Sequence, residues 1–273
     1  MAVYLYGVGH RSLSPPEDVA GVSPSAGGFR VVIDGELAAL VTDLADDRSG
    51  SRPMATTGNL AAHEQVVDAV AGRQSFVPAR FGVVAESDTD LVAELLQAKR
   101  SMLTRTLERL SGRVELRLTV EFEGDELLRE ALAHSPRLEK LRRRVQGRPA
   151  AATYYDRIAL GEAAREEVLR LQQRELHALG ARLASVVADQ RLLTGPDGAS
   201  ARLAYLVDAE GLERFDDELE AYAADHEGQL RLELLGPLAP WDFADLADDP
   251  GAQPAPAGRA RRRGRRLEGQ GAR

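Results

Sequence analysis

The sequence predicts an α+β fold, with two modified ferredoxin-like (split βαβ) units linked by long helices and followed by a disordered basic tail. Three observations predict it. An Asp34-Gly35 pair sits between two β-prone runs near the start. Val114–Phe122 alternates apolar and polar residues with period two, and the elements after it run in split βαβ order apart from one inserted helix. After Asp249 the chain becomes Pro/Gly/Ala-rich and then arginine-rich. The expected boundaries are 1–112 for an N-terminal α+β domain, 113–247 for a C-terminal ferredoxin-like domain with an inserted helix, and 248–273 for the tail.

The apolar run Val3–Val8 reads as a buried opening strand. Ser12–Gly28 is rich in Ser, Pro and Gly and reads as loop, with at most one helical turn near Glu17–Ala20. Phe29–Ile33 and Glu36–Val41 flank Asp34-Gly35 as a hairpin, for which a type I′ turn at Asp34-Gly35 is expected. Ala45–Thr57 is polar loop. Thr57 or Asn59 caps a helix to about Ala71, with Leu60, His63, Val66, Val67 and Val70 near one face. Ser75–Val84 reads as a strand, and Pro78, lacking an N–H, puts it at an edge or a bulge. Ser87 or Asp88 caps a long helix that ends at Gly112.

The second series opens with the Val114–Phe122 strand, one face of it wet. Asp125–Arg144 is helical with a break at Ser135-Pro136. Thr153 or Asp156 starts a helix to about Val187, long enough to need a partner helix. Arg191–Leu193 and Leu203–Val207 are strands joined across Gly195–Gly198. Leu212–Ala224 is an acidic amphipathic helix, and Leu230–Leu235 is a last strand stopped by Gly236-Pro237. The first series has the same order with its first helix lost or reduced to loop. The tail has too little apolar content to offset the entropy of ordering.

Composition removes several functions. With no cysteine there is no disulfide, thiolate metal site or cysteine nucleophile. No apolar run approaches the roughly 18 residues of a membrane span, and the first residues lack a signal-peptide pattern. A cytoplasmic location, or a structure assembled in the cytosol, is expected. The net charge of −8 combines +6 over residues 251–273 with −14 over residues 1–250. That acidic body argues against a folded nucleic-acid surface.

Candidate chemical motifs are incomplete. His63-Glu64 begins a helical zinc motif, but Val67 stands where the second histidine belongs, so packing is the favoured role for His63. Gly7-Val8-Gly9 follows a strand but precedes no helix that would hold a phosphate. The five histidines show no ligand spacing, and Asp46-Asp47 and Asp216–Glu218 read as solvated faces. No cofactor or metal is expected. The arginine tail offers counterion release to a polyanion but no interleaved aromatic residue for stacking. In Phe76–Gly82 an arginine lies between two phenylalanines beside a proline. That is either a binding edge or an ordinary strand whose arginine pairs with an acid, and the residues alone favour the latter.

Several segments together resemble the gas vesicle protein L/F family: Tyr4–Val8, His63–Val67, Phe76–Gly82, Val114–Val120 and Gly236–Phe243. Their order and spacing match over about residues 2–246. The departures are the arginine tail, and Ala79 and Ala239 where bulkier residues are common. The resemblance implies a two-domain α+β protein, not an enzyme, acting in gas vesicle formation. It implies contact with the small, hydrophobic major shell protein and with other accessory vesicle proteins. Exposed strand edges and amphipathic helices suit such binding. The residues expected to carry it are Phe76, Arg80 and Phe81, with Trp241 and Phe243. The alternatives are a small-molecule enzyme on a ferredoxin-like scaffold and nucleic-acid binding by the tail.

Overall fold

The computed structural model describes residues 1–22, 25–44, 53–196, 200–244 and 265–267. The Asp46-Asp47 pair, most of the expected loop before Thr57, the end of the Gly195–Gly198 turn and nearly all of the tail lie outside these residues. The chain divides into two packed units, Met1–Glu115 with the stretch beginning at Gly236, and Leu116–Leu235.

In the N-terminal unit, β1 (Val3–His10), β2 (Ser25–Asp34), β3 (Leu37–Leu44) and β4 (Phe76–Pro78) form a sheet in the order β2-β3-β1-β4. β5 (Val84–Ala85) also pairs with β1. β3 is antiparallel to both β1 and β2, so β1 and β2 run parallel on either side of it. This is the split βαβ order, fourth, first, third, second, with the first crossover helix absent. Pro78 stands on the edge strand, as a residue without an N–H should.

Both sheet faces are covered. Helix α1 (Thr57–Ala71) buries His63, Val66, Val67 and Val70, the expected stripe. Its cap is Thr56, one residue earlier than expected, whose hydroxyl accepts from Asn59 N–H at 3.2 Å. The opposite face is tied by ion pairs. Arg30 on β2 bridges Asp43 at 2.6 Å and Asp88 at 2.7 Å. Arg100 pairs with Asp34. Burial on two faces is why β1 and β3 are almost continuously apolar.

Two local expectations are corrected. In the hairpin, Asp34 pairs with Leu37, so the turn residues are Gly35 and Glu36. No non-glycine residue described has positive φ, which excludes type I′. Gly35 alone takes φ 62°, the pattern of a type II′ turn. The long helix after Ser87 is three pieces: α2 (Asp88–Leu91), a π-helical stretch Val92–Gln97, and α3 (Arg100–Leu110). Leu91 and Leu96 are buried while Leu95 is only half-covered. That spacing of five matches the i→i+5 hydrogen-bond step of a π turn, so the wider turn keeps the apolar contacts on the sheet.

In the C-terminal unit, β6 (Arg113–Phe122), β7 (Asp189–Thr194), β8 (Ser200–Asp208) and β9 (Leu230–Leu238) take the order β9-β6-β8-β7. This is the same split βαβ order. Between β6 and β7 lie α4 (Gly124–His134), α5 (Pro136–Val145) and α6 (Tyr154–Leu183), and α7 (Leu212–Asp225) precedes β9. Ser135 separates α4 from α5 and caps the latter at Leu138 N–H, 3.4 Å away. At 30 residues α6 is about 45 Å long. It packs against α4, α5 and α7, as a helix of that length requires. Leu116, Leu118, Val120 and Phe122 of β6 meet Leu171, Leu179 and Leu183 of α6 and Phe215 and Leu219 of α7 in one core. Arg265–Leu267, the only described part of the tail, form a short strand, β10, antiparallel to β9.

The unit boundary differs from the expected one at the second crossing. The expectation ended the last strand at Leu235 and kept residues 236–247 with the C-terminal domain. Instead β9 continues to Leu238, and Gly236–Phe243 belongs to the N-terminal unit. Ala239 lies in the core with Tyr4 and Val66. Arg109 donates to the Phe243 carbonyl at 2.6 Å, and Asp242 N–H donates to the Glu115 carboxylate at 2.7 Å.

Candidate functional site

The N-terminal unit gathers Tyr4, Tyr6, Phe29, Phe81 and Trp241 in one cluster with His63. Tyr4 and Tyr6 leave β1 on the same face and meet edge to face, centroids 5.0 Å apart. His63, from α1, stacks on Tyr6 at 5.5 Å with an 18° interplanar angle. Phe81 and Trp241 flank the imidazole at 5.8 and 5.6 Å. Phe29 of β2 closes on Tyr6 at 5.4 Å. Edge-to-face and offset pairs of this kind favour a fixed arrangement beyond simple burial.

The polar atoms inside the cluster are matched. His63 Nε2 lies 2.9 Å from the Ala79 carbonyl, which can only accept, so Nε2 carries the proton. Nδ1 is then an acceptor, and the Tyr4 hydroxyl donates to it at 2.9 Å. That hydroxyl in turn accepts from Gly82 N–H at 3.1 Å. The Tyr6 hydroxyl accepts from Val22 N–H at 2.8 Å and lies 3.4 Å from Thr42 Oγ1.

Titration follows from burial. Desolvation lowers the His63 pKa from 6.5 to about 4, partly opposed by the Ala79 carbonyl, so the imidazole is neutral at pH 7. Burial raises both tyrosine hydroxyls above their ordinary value, countered at Tyr4 by Gly82 N–H and at Tyr6 by Thr42 and Val22. With both ring nitrogens engaged, His63 holds the site together; it has no lone pair to offer a metal. Among the described residues no group of three or more His, Asp or Glu side chains is arranged to hold an ion.

The expected binding residues separate by exposure. Phe76 and Phe243 are 1% and 0% exposed, so they are core and present no surface. The Phe76 ring is the reason for Gly7: a Cβ there would come within 2.5 Å of it. Gly7-Val8-Gly9 therefore admits a neighbouring strand where a dinucleotide loop would admit phosphate. Arg80 is exposed, and Phe81 and Trp241 are half-covered. Both rings contact the same imidazole, and Arg80 lies between the Ala79 carbonyl that holds His63 and the Phe81 ring beside it. The structure brings these three residues together.

Sequence reasoning missed Tyr4, Tyr6, Arg109 and Glu115. The tyrosines carried a signal: at i and i+2 in a buried strand, two hydroxyls need partners. Glu115 carried none, because it occupies the polar phase of an alternating strand yet is fully buried as the acceptor for Asp242 N–H.

Comparison with known proteins agrees with this architecture. The family described as gas vesicle synthesis protein GvpL/GvpF matches residues 2–245. Gas vesicle protein F of Streptomyces sp. (strain CB03234) is 28% identical over 90% of this chain and all of its own length. Gas vesicle protein L of the same strain is 31% identical, covering 72% of this chain and 73% of its own. The crystal structure of gas vesicle protein GvpF from Anabaena sp. PCC7120 superposes with a TM-score of 0.77 at 19% identity, over 90% of this chain and 99% of that one. That of GvpF from Microcystis aeruginosa gives 0.68 at 22% identity, with the same coverage.

Proposed function

The chain belongs to the gas vesicle synthesis protein GvpL/GvpF family, and from that premise we propose that it works in gas vesicle formation by binding. Its partners in this reading are the major shell protein and other accessory vesicle proteins, engaged through the surface of Arg80, Phe81 and Trp241. A gas vesicle-associated role follows from membership; the partners and the surface are our reading.

One observation carries it. The histidine and both tyrosine hydroxyls of the site are turned inward and satisfied, while an arginine beside two half-covered aromatic rings faces outward. Arginine and large aromatic residues are the side chains that dominate protein interfaces. Such a surface, apolar with a cationic rim, suits a small hydrophobic subunit.

The test is capture of the major shell protein by the full chain. Arg80→Glu is expected to keep the native circular dichroism and to weaken capture by about tenfold or more. Equal capture by the variant would remove this surface from the proposal. Deletion of the gene in a vesicle-forming host is expected to abolish or deform vesicles, and normal vesicles would overturn the functional reading itself.

A further inference from the structure

The inserted helix of the C-terminal unit ends in a basic tip on an otherwise acidic body. Between residues 136 and 157 there are seven basic residues and two acidic ones, in a body whose residues 1–250 carry −14. α5 turns Leu138 and Val145 inward and sets Lys140, Arg143 and Arg144 on its outer face, where they line a shallow depression of about 500 Å³. Glu139 binds Arg142 and Arg143, Asp156 binds Arg144, and Glu166 of α6 binds Arg137, at 2.7–3.1 Å. Seven basic residues against these three carboxylates leave the tip positive. Beside it, at the start of α6, Tyr154 and Tyr155 stand 61% and 83% exposed, packed edge to face on each other. Ile158, one turn on, is 43% exposed. Exposed tyrosines on the same tip as arginines have the make-up of an interface centre.

The complementary surface lies on the same unit. Residues 208–227 carry nine carboxylates and one arginine. α7 buries Phe215, Leu219 and Tyr222 and exposes Glu213, Asp217 and Glu220 along one stripe. α7 packs on the far half of α6, with the Tyr222 hydroxyl 3.3 Å from the Glu175 carbonyl and Glu218 bound to Arg182 at 2.6 Å. Tyr155 and Glu175 are about 30 Å apart along the helix, several Debye lengths at physiological salt. The tip therefore cannot reach or neutralise the α7 of its own chain, but a second copy can bring its α7 to it.

We propose that copies of this chain associate head to tail, the basic tip of one C-terminal unit docking on the acidic α7 stripe of the next. The two surfaces are different patches, so the contact is heterologous and adds copies in a row or ring. Tyr154 and Tyr155 supply its apolar centre, and the charges set orientation and salt dependence. A long polyanion fits the tip less well, because the acidic body around it repels a chain of phosphates that extends past the tip.

Sedimentation of the full chain over a concentration series, at low and high salt, tests this. Association at low salt that disappears at high salt is expected. Arg143→Glu with Arg144→Glu should weaken it by about tenfold or more, as should Asp217→Lys with Glu220→Lys. Mixing the two variants should restore pairing, since the intact tip of one meets the intact stripe of the other. Tyr155→Ala, which alters no charge, should weaken it at unchanged circular dichroism; it keeps the test decisive if a charge variant fails to fold. A wild-type chain that stays monomeric under all conditions would overturn the proposal. So would association that survives both charge reversals, or association lost only when the tail arginines are replaced by glutamine. A tip variant that loses binding to a labelled oligonucleotide, with self-association unchanged, would assign the tip to nucleic acid instead.

Discussion

Lowering the pH should loosen the N-terminal unit through His63. In the folded protein the imidazole resists protonation down to about pH 4, whereas the unfolded chain takes the proton near 6.5. Between those values the unfolded state binds more protons, so stability is complete above 6.5 and lost as pH falls, levelling off below 4. The slope is about 1.4 kcal/mol per pH unit and the whole loss about 3 kcal/mol, a large part of a domain's usual stability. The chain has one tryptophan, and its ring lies 5.6 Å from the imidazole. Urea unfolding followed by Trp241 fluorescence thus reports the right unit. His63→Gln keeps an amide donor for the Ala79 carbonyl but does not titrate, so carboxylate contributions cancel in the comparison. Wild type should lose about 3 kcal/mol more than the variant from pH 6.5 to 4. Parallel curves, or an NMR titration of His63 centred near 6.5, would refute the buried neutral imidazole.

Three further outcomes follow from the same packing. Tyr4→Phe removes the hydroxyl shared by His63 Nδ1 and Gly82 N–H and should cost about 1–3 kcal/mol in denaturant unfolding, as buried groups lose their partner. Gly35→Ala places a side chain at φ 62° and its Cβ 2.7 Å from the Arg100 guanidinium; about 1–2 kcal/mol of lost stability is expected, seen as a lower melting temperature. Phe243→Ala should cost about 3–5 kcal/mol because the ring is fully buried. In the same melt Arg80→Glu should cost less, which separates the core members of the expected binding set from its surface member.

The sequence carried most of the element order and less of the geometry, for reasons visible at particular residues. Asp34-Gly35 marked a hairpin, but the turn falls one residue later because register is decided across β2 and β3, where Asp34 faces Leu37. Leucines at 91, 95, 103 and 107 suit an ordinary helix; only contact with the sheet selects Leu96 over Leu95 and opens a π turn. The His63 stripe was legible as a packing face, whereas its two hydrogen bonds come from residues 59 and 16 positions away. Gly236-Pro237 looked like a stop, and nothing local says that Asp242 will donate to a carboxylate 127 residues earlier. Composition marks the aromatic segments of Phe76 and Phe243 as unusual without saying which side of each faces water, and both rings lie in the core.

The missing crossover helix shows how the fold class persists without one of its elements. Parallel strands β1 and β2 need a connection of about a dozen residues or more, and it must cover the sheet face it crosses. In the C-terminal unit helices do this. In the N-terminal unit the described residues after β1, 11–22, have no regular structure, yet they insert Leu13, Val19 and Val22 into the core beside Tyr6 and Leu40. Without a helix, the backbone donors in that stretch need partners elsewhere. Leu13 N–H finds the His10 carbonyl at 2.8 Å, and Val22 N–H the Tyr6 hydroxyl at 2.8 Å. Tyr6 thus fills part of the space a helix would occupy and also accepts one of the hydrogen bonds a helix would make internally. A loop with three apolar anchors and a buried hydroxyl to receive it satisfies the same two requirements as a crossover helix, which is why the strand order is shared by two units whose sequences show no repeat.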